Sequence, residues 1–266
     1  MTPDQYDEAA ESLFAAEETG QQCGLLSLRY PGMTLDDAYA VQSRLIARKL
    51  TAGRKKIGWK IGLTSRAMQD ALKIDTPDSG VLLDDMLFAT GATVPAGRFI
   101  QPRIEAEIAF VMKAPLSGAD CSRHDVLAAT DYVSPSLEIL DTRVLRADPA
   151  TGKARVIVDT ISDNAANAGL VLGTARHAPD AVDLRWTGAI VARDDIVEET
   201  GLGAGVLNDP VTSVLWLARR MAEYGQTIEA GDIILSGSFI RPVEAPPGSR
   251  IHADFGPFGS VDVTFA

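Results

Sequence analysis

An α+β fold is what the sequence predicts, with a helical N-terminal subdomain over residues 1–55 and a β-rich core over residues 56–266. Three observations lead there. Helical spacing of apolar residues dominates the first fifty positions, short β-prone runs broken by Gly, Pro and Asp follow from Ile57 onward, and a few helices interrupt them, one of them capped near residue 210. Hydrophobic residues make up 46% and charged residues 23% of the 266. That balance suits a packed core and excludes a disordered or fibrous chain.

The elements follow in order. Residues 4–18 read as a helix, and Thr34-Leu35-Asp36-Asp37 opens a second one with a capping box, after which Leu35, Ala38, Val41, Leu45 and Ala47 form an apolar stripe. Residues 57–65, otherwise suited to a buried strand, contain Lys60. Strands are expected at 104–111, 136–139, 188–193 and 233–240. Asn208-Asp209-Pro210 supplies a cap and a first-turn proline for a helix that turns Val214, Leu215, Ala218 and Met221 inward, and strands return to Phe265.

Charge and composition exclude several functions. A formal charge of −11 with no basic run argues against nucleic acid as a partner. Cys23 and Cys121 have neither metal-ligand nor redox spacing, and the three histidines are scattered, so thiolate zinc and Ser-His-acid chemistry find no support. The N-terminus does not read as a secretory signal and no apolar run is long enough for a membrane span, so a cytoplasmic location is expected.

The candidate chemistry lies in the acids. In Arg103-Ile104-Glu105-Ala106-Glu107-Ile108, strand alternation puts Glu105 and Glu107 on one face and the apolar residues on the other. Two adjacent carboxylates repel unless one is protonated or a cation neutralises both. A solvated outer strand face would carry the same pattern. Glu138 supplies a third acid in apolar surroundings, costly alone, and three oxygen donors suit a hard divalent cation with positions left for substrate and water. Lys60 in its apolar segment wants an anion; it binds a substrate carboxylate, shuttles a proton with its pKa lowered by burial, or extends its amine to the surface. Residues 159–169 suit close backbone approach to a ligand, or a helix start capped by Ser162 or Asp163. Asp78 and Asp84-Asp85 fall in a turn-rich stretch.

Read together, Gly58-Trp59-Lys60-Ile61-Gly62-Leu63-Thr64-Ser65, Leu82-Leu83-Asp84-Asp85-Met86, Arg103 to Glu107, Thr130-Asp131-Tyr132-Val133, Ser162 to Gly169 and Gly237-Ser238-Phe239-Ile240-Arg241-Pro242 closely resemble the hydratases of aromatic meta-cleavage pathways in the fumarylacetoacetate hydrolase superfamily. The resemblance implies a mixed β-roll or barrel core with the helical subdomain attached, and Mg²⁺ (or Mn²⁺) on Glu105, Glu107 and Glu138. It also implies a dimer-based homo-oligomer, up to a decamer, in contact with the aldolase that takes the product. The implied substrate is an unsaturated 2-oxo diacid. The spacer Asp148 to Lys153 and the arginine in Gly237 to Pro242 point to a seven-carbon one, 2-oxohept-enedioate, hydrated to 4-hydroxy-2-oxoheptanedioate. Trp59 departs from the histidine many relatives carry before the lysine, and should lie on the opposite strand face from Lys60.

On that reading Lys60, oriented by Asp78, transfers protons, Ser162 and Asn164 fix substrate or water, and Arg241 or Arg143 holds the distal carboxylate. The alternatives are a 2-oxohex-3-enedioate (4-oxalocrotonate) decarboxylase or a 2-oxopent-4-enoate hydratase with the same metal site, then an acylpyruvate hydrolase. From a different class comes a non-catalytic structural subunit of a pathway complex.

Overall fold

The computed structural model describes residues 1–66, 69, 70, 74 and 76–266. Helix α1 (Pro3–Thr19) starts at a capping box formed by Thr2 and Gln5 and ends at left-handed Gly20. A short α2 (Leu26–Arg29) leads to α3 (Leu35–Thr51), which opens at the expected Thr34–Asp37 box. The stripe of α3 differs from the expectation. Leu35 and Ala47 are exposed, while Ala38, Val41, Gln42, Leu45, Ile46 and Lys49 are buried. The helix is covered on two sides, by α1 and by the later helix α5 (Ile157–Ser162), so polar side chains take interior places. Gln42 donates to the carbonyls of Ser79 and Ile161, and Lys49 pairs with Glu17.

The remaining chain forms β1 (Lys56–Gly62), β2 (Asp78–Leu83), β3 (Leu87–Ala89), β4 (Ala92–Val94), β5 (Arg103–Met112), α4 (Arg123–Ala129) and β6 (Thr130–Leu140). After α5 come β7 (Asn167–Leu172), β8 (Gly188–Arg193), β9 (Ile196–Leu202), α6 (Pro210–Glu223), β10 (Ile233–Leu235), β11 (Val243–Glu244), β12 (Arg250–Asp254) and β13 (Ser260–Phe265). One mixed sheet runs β2-β1-β10-β5-β6-β7-β3, with β11 added to β5, and a second runs β4-β13-β12-β8-β9. The sheets meet where β13 packs on β6 and β7. Neither closes on itself among the described residues, so the barrel form of the core is not what the chain builds.

The strand expected over 233–240 stops at Leu235. Gly237 turns the chain with φ +110°, and a Cβ there would lie 2.4 Å from Thr64 Oγ1, so only glycine permits this approach. Residues 159–169, which suit either close backbone approach to a ligand or a helix start at Ser162 or Asp163, end α5 at Ser162. Asn164, Ala165 and Ala166 then all take positive φ, an arrangement costing roughly 1–2 kcal/mol per non-glycine residue. Such strain survives where surrounding contacts fix it, and here it borders the carboxylates. The helices gather a cluster around Leu13, Leu26 and Leu45 that Val144 joins from beyond residue 55, while Ile46 belongs to the larger core of the sheets.

Candidate metal and substrate site

Antiparallel pairing of β5 with β6 sets Glu105 directly opposite Glu138, and the two-residue repeat places Glu107 on the same face as Glu105. The three carboxylates offer oxygen atoms that all lie within 4.8 Å of one another. Glu107 and Glu138 are fully buried and Glu105 is half-buried at the mouth. Burial, with Glu138 adding repulsion, pushes the Glu105 carboxyl up to about 8 against the pull of Lys60. Burial, Glu138 and Glu105 together hold Glu107 well above the ordinary carboxylate range.

Their hydrogen bonds leave capacity over. Glu107 Oε2 accepts from the Gly237 N–H at 2.7 Å and Glu138 Oε1 from Asn167 Nδ2 at 2.7 Å. Glu107 Oε1 and Glu138 Oε2 are buried with no hydrogen-bond partner among the described residues. Unpaired buried carboxylate oxygens are costly, and a hard divalent cation satisfies both at once. The three glutamates therefore fit Mg²⁺ or Mn²⁺.

Lys60, in the centre of β1, extends to this cluster. Its Nζ stands 3.4 Å from Glu138 Oε1 and donates to the Ala165 carbonyl at 3.1 Å, an acceptor presented by the left-handed turn. Burial works to remove its proton, as the sequence suggested, but Glu138, then Asp78, Glu105 and Glu107, outweigh it and hold Lys60 above its ordinary pKa. Lys60 is thus a charged donor here. Asp78 faces Gly62 across the β1–β2 pair. A Cβ on Gly62 would lie 2.2 Å from Asp78 Oδ1 and 2.9 Å from Lys60 Nζ, so the missing side chain is what lets the two groups approach. Asp78 is raised by burial against Lys60, and its Oδ1 is buried without a partner among the described residues. Trp59, on the opposite face, is buried in the core of the sheets with Lys56 Nζ 5.0 Å from its ring centre.

The other sequence candidates fare differently. Asn164 spends its amide on β2, accepting from Val81 N–H and donating to Val81 O, and Ser162 Oγ donates to Val158 O within α5. Both side chains hold the turn that carries Ala165. Arg143 is buried, bound through its side chain to Asp163 and to the carbonyls of Asp141, Asp163 and Asn167. Every edge of its guanidinium is committed inside the fold, which corrects its assignment to the distal carboxylate. Arg241 lines a cavity of about 330 Å³ that opens on Glu105 and Thr64, and its guanidinium pairs with Glu199. The sequence gives no signal for Glu199, and Gly237, Ala165 and Asn167 stand in the quoted motifs without a role. Gly237 and Ala165 act through backbone atoms, which side-chain pattern does not report.

The profile of the fumarylacetoacetate (FAA) hydrolase C-terminal family matches residues 59–266. The chain is 50% identical to the 2-oxo-hept-4-ene-1,7-dioate hydratase of Escherichia coli over 96% of each protein. It is 40% identical to the 2-keto-4-pentenoate hydratase of Paraburkholderia xenovorans (strain LB400), covering 100% of this chain and 96% of the relative. The solved 4-oxalocrotonate decarboxylase from Pseudomonas putida G7, complexed with magnesium and adipate, superposes with a TM-score of 0.93 at 36% identity, over 100% of this chain and 99% of that one.

Proposed function

Since the chain belongs to the fumarylacetoacetate hydrolase family, we propose that it is a hydro-lyase of aromatic-compound catabolism that adds water to 2-oxohept-enedioate, giving 4-hydroxy-2-oxoheptanedioate. The observation that carries this reading is the convergence of Glu105, Glu107 and Glu138 with two buried carboxylate oxygens unpartnered. Half of the residues are identical to those of a hydratase named for that substrate, over nearly the whole length.

Glu105, Glu107 and Glu138 would hold Mg²⁺ or Mn²⁺. When bound, the ion would supply Lewis acidity toward the oxygens of a 2-oxo acid. The chain's own residues do the rest. Lys60, charged and close to the carboxylates, donates the proton that the enolate needs at carbon, and Asp78 across Gly62 orients it and takes the proton from water. Asn167 fixes the rotamer of Glu138, and the Gly237 N–H fixes Glu107. Ser162 and Asn164 serve through the turn they support. Arg241, at the mouth, meets the far carboxylate.

A decarboxylase would use the same acids, because loss of CO₂ also passes through an enolate. Incubating the Mg²⁺-loaded protein with five-, six- and seven-carbon unsaturated 2-oxo acids and identifying products decides between them. Hydration fastest with the seven-carbon diacid is expected, and CO₂ from the six-carbon diacid without hydration would overturn it. We take the working form to be a homo-oligomer whose product passes to an aldolase. No helix of the described residues is long and apolar enough to cross a membrane.

A further inference from the structure

We infer that Glu199 is the positioning residue for the far carboxylate of the substrate: it fixes the guanidinium of Arg241 at the mouth of the site and so sets the preference for a diacid over a monoacid. The inference rests on the assignment of Arg241 made above. It starts from strand alternation. β9 pairs antiparallel with β8, which sets Thr200 opposite Ile190 and Glu199 opposite Val191. Ile190 is exposed and Val191 fully buried, so the first pair faces solvent and the second faces inward. An inward position opposite a buried valine should be apolar, and a carboxylate placed there needs a specific partner. Departure from the local pattern without a structural need is the mark of a functional position.

The partner is Arg241. The Glu199 side chain is 19% exposed and that of Arg241 83%, so the acid is held in the wall and the arginine reaches to it from water. Arg241 makes no other ion pair among the described residues, and a long side chain without a tether loses rotamer freedom when it binds a ligand. Glu199 meets it through Nη2, which leaves Nη1 and Nε as donors for a second carboxylate. Glu199, Arg241 and Glu105 line the same cavity, which puts the pair beside the space that a diacid held at the three glutamates extends into.

The backbone around the pair supports the contact. Gly201 shares the inward face of β9 with Glu199, opposite buried Ala189, and lies against residues 236–242 so closely that a Cβ would stand 1.8 Å from the Phe239 carbonyl oxygen. Strand and loop therefore touch through backbone at Gly201 and through side chains at Glu199. Elsewhere the loop is tied by the Gly237 N–H to Glu107 and by Ser238 Oγ, which donates to Ile240 O and accepts from Ile240 N–H. One tied segment thus carries both the donor that orients Glu107 and the arginine, and Glu199 secures the arginine's free end.

Steady-state kinetics of the Mg²⁺-loaded full chain with the seven-carbon diacid and with 2-oxopent-4-enoate test the inference. Glu199→Gln should raise KM for the diacid about 3–10-fold relative to KM for the monoacid, the usual cost of immobilising one long side chain on binding, with the loss carried by KM rather than kcat. KM does not depend on the folded fraction, so partial misfolding cannot hide the effect. On an Arg241→Gln background the same change should add nothing, since no guanidinium is left to place. Additive penalties, an unchanged ratio or a lowered KM for the diacid would overturn the role of Glu199 while Arg241→Gln alone still penalises the diacid. If Arg241→Gln alone spares the diacid, the assignment of Arg241 falls and this inference with it.

Discussion

Lys60→Met removes a buried cation 3.4 Å from Glu138 while keeping an unbranched chain of similar length. At that distance and an effective dielectric near 20, the attraction amounts to about 5 kcal/mol. Its loss leaves Glu138 buried beside Glu105 and Glu107 without counter-charge, so the metal-free fold should lose about 3–5 kcal/mol, the usual cost of orphaning one partner of a buried pair. With Mg²⁺ bound the carboxylates have their counter-charge from elsewhere, and no ammonium repels the ion. Stability should therefore return on adding Mg²⁺, and Mg²⁺ should bind at least as tightly as in the wild type. Turnover should fall about 10²–10⁴-fold, the usual worth of a positioned proton donor. Calorimetric titration with Mg²⁺ and decay of the absorbance of the unsaturated 2-oxo acid measure the two quantities. Unchanged turnover would refute the proton-transfer role of Lys60, and lost Mg²⁺ binding would show that the variant damages the site rather than the chemistry.

Three further outcomes are expected. The Glu105 carboxyl is pushed up to about 8 in the metal-free protein and Glu107 lies above the ordinary range, so both prefer the protonated form when folded. Their contribution to stability is fully present below the ordinary value near 4.5 and lost as pH rises through about 8; the metal-free melting temperature should fall across that window, with Mg²⁺ restoring it and its apparent affinity rising with pH. A melting temperature indifferent to pH from 5 to 8 would contradict this. Arg143→Met should lower stability by about 3–5 kcal/mol in urea unfolding, because Asp163 is left buried and unpaired, while the folded fraction keeps its preference among substrates. A selective loss of diacid turnover would return Arg143 to the substrate site. Arg241→Gln should raise KM for the seven-carbon diacid about 10–100-fold and leave 2-oxopent-4-enoate nearly unaffected, as expected for one charged hydrogen-bond pair; equal losses would reject the assignment.

Legibility in the sequence followed the range of the interaction. Glu105 and Glu107 were visible as a pair because alternation along one strand is local, and the helix starts at Thr34 and Pro210 were visible because their caps are adjacent residues. Glu138 could be suspected only as an acid among apolar neighbours; its place opposite Glu105 is a matter of strand register. The end of β10 at Leu235 depends on Gly237 meeting Thr64, a contact between distant segments. Burial of Gln42 and Lys49 escaped hydrophobic periodicity because polar side chains occupy those places with their partners. Arg143 looked like a free cation, and only the fold shows it spent on Asp163. Backbone donors and acceptors, such as Gly237 N–H and Ala165 O, leave no trace in side-chain pattern at all.

The central claim is that Glu105, Glu107 and Glu138 hold a divalent ion on which a 2-oxo acid can be chelated. Titrating the full chain with Mg²⁺, alone and with oxalate in place of substrate, tests it most directly. One ion per chain, bound more tightly in the presence of oxalate and lost in Glu107→Gln, is the predicted result. Absence of Mg²⁺ binding in the wild type, or binding that Glu107→Gln leaves unchanged, would contradict it.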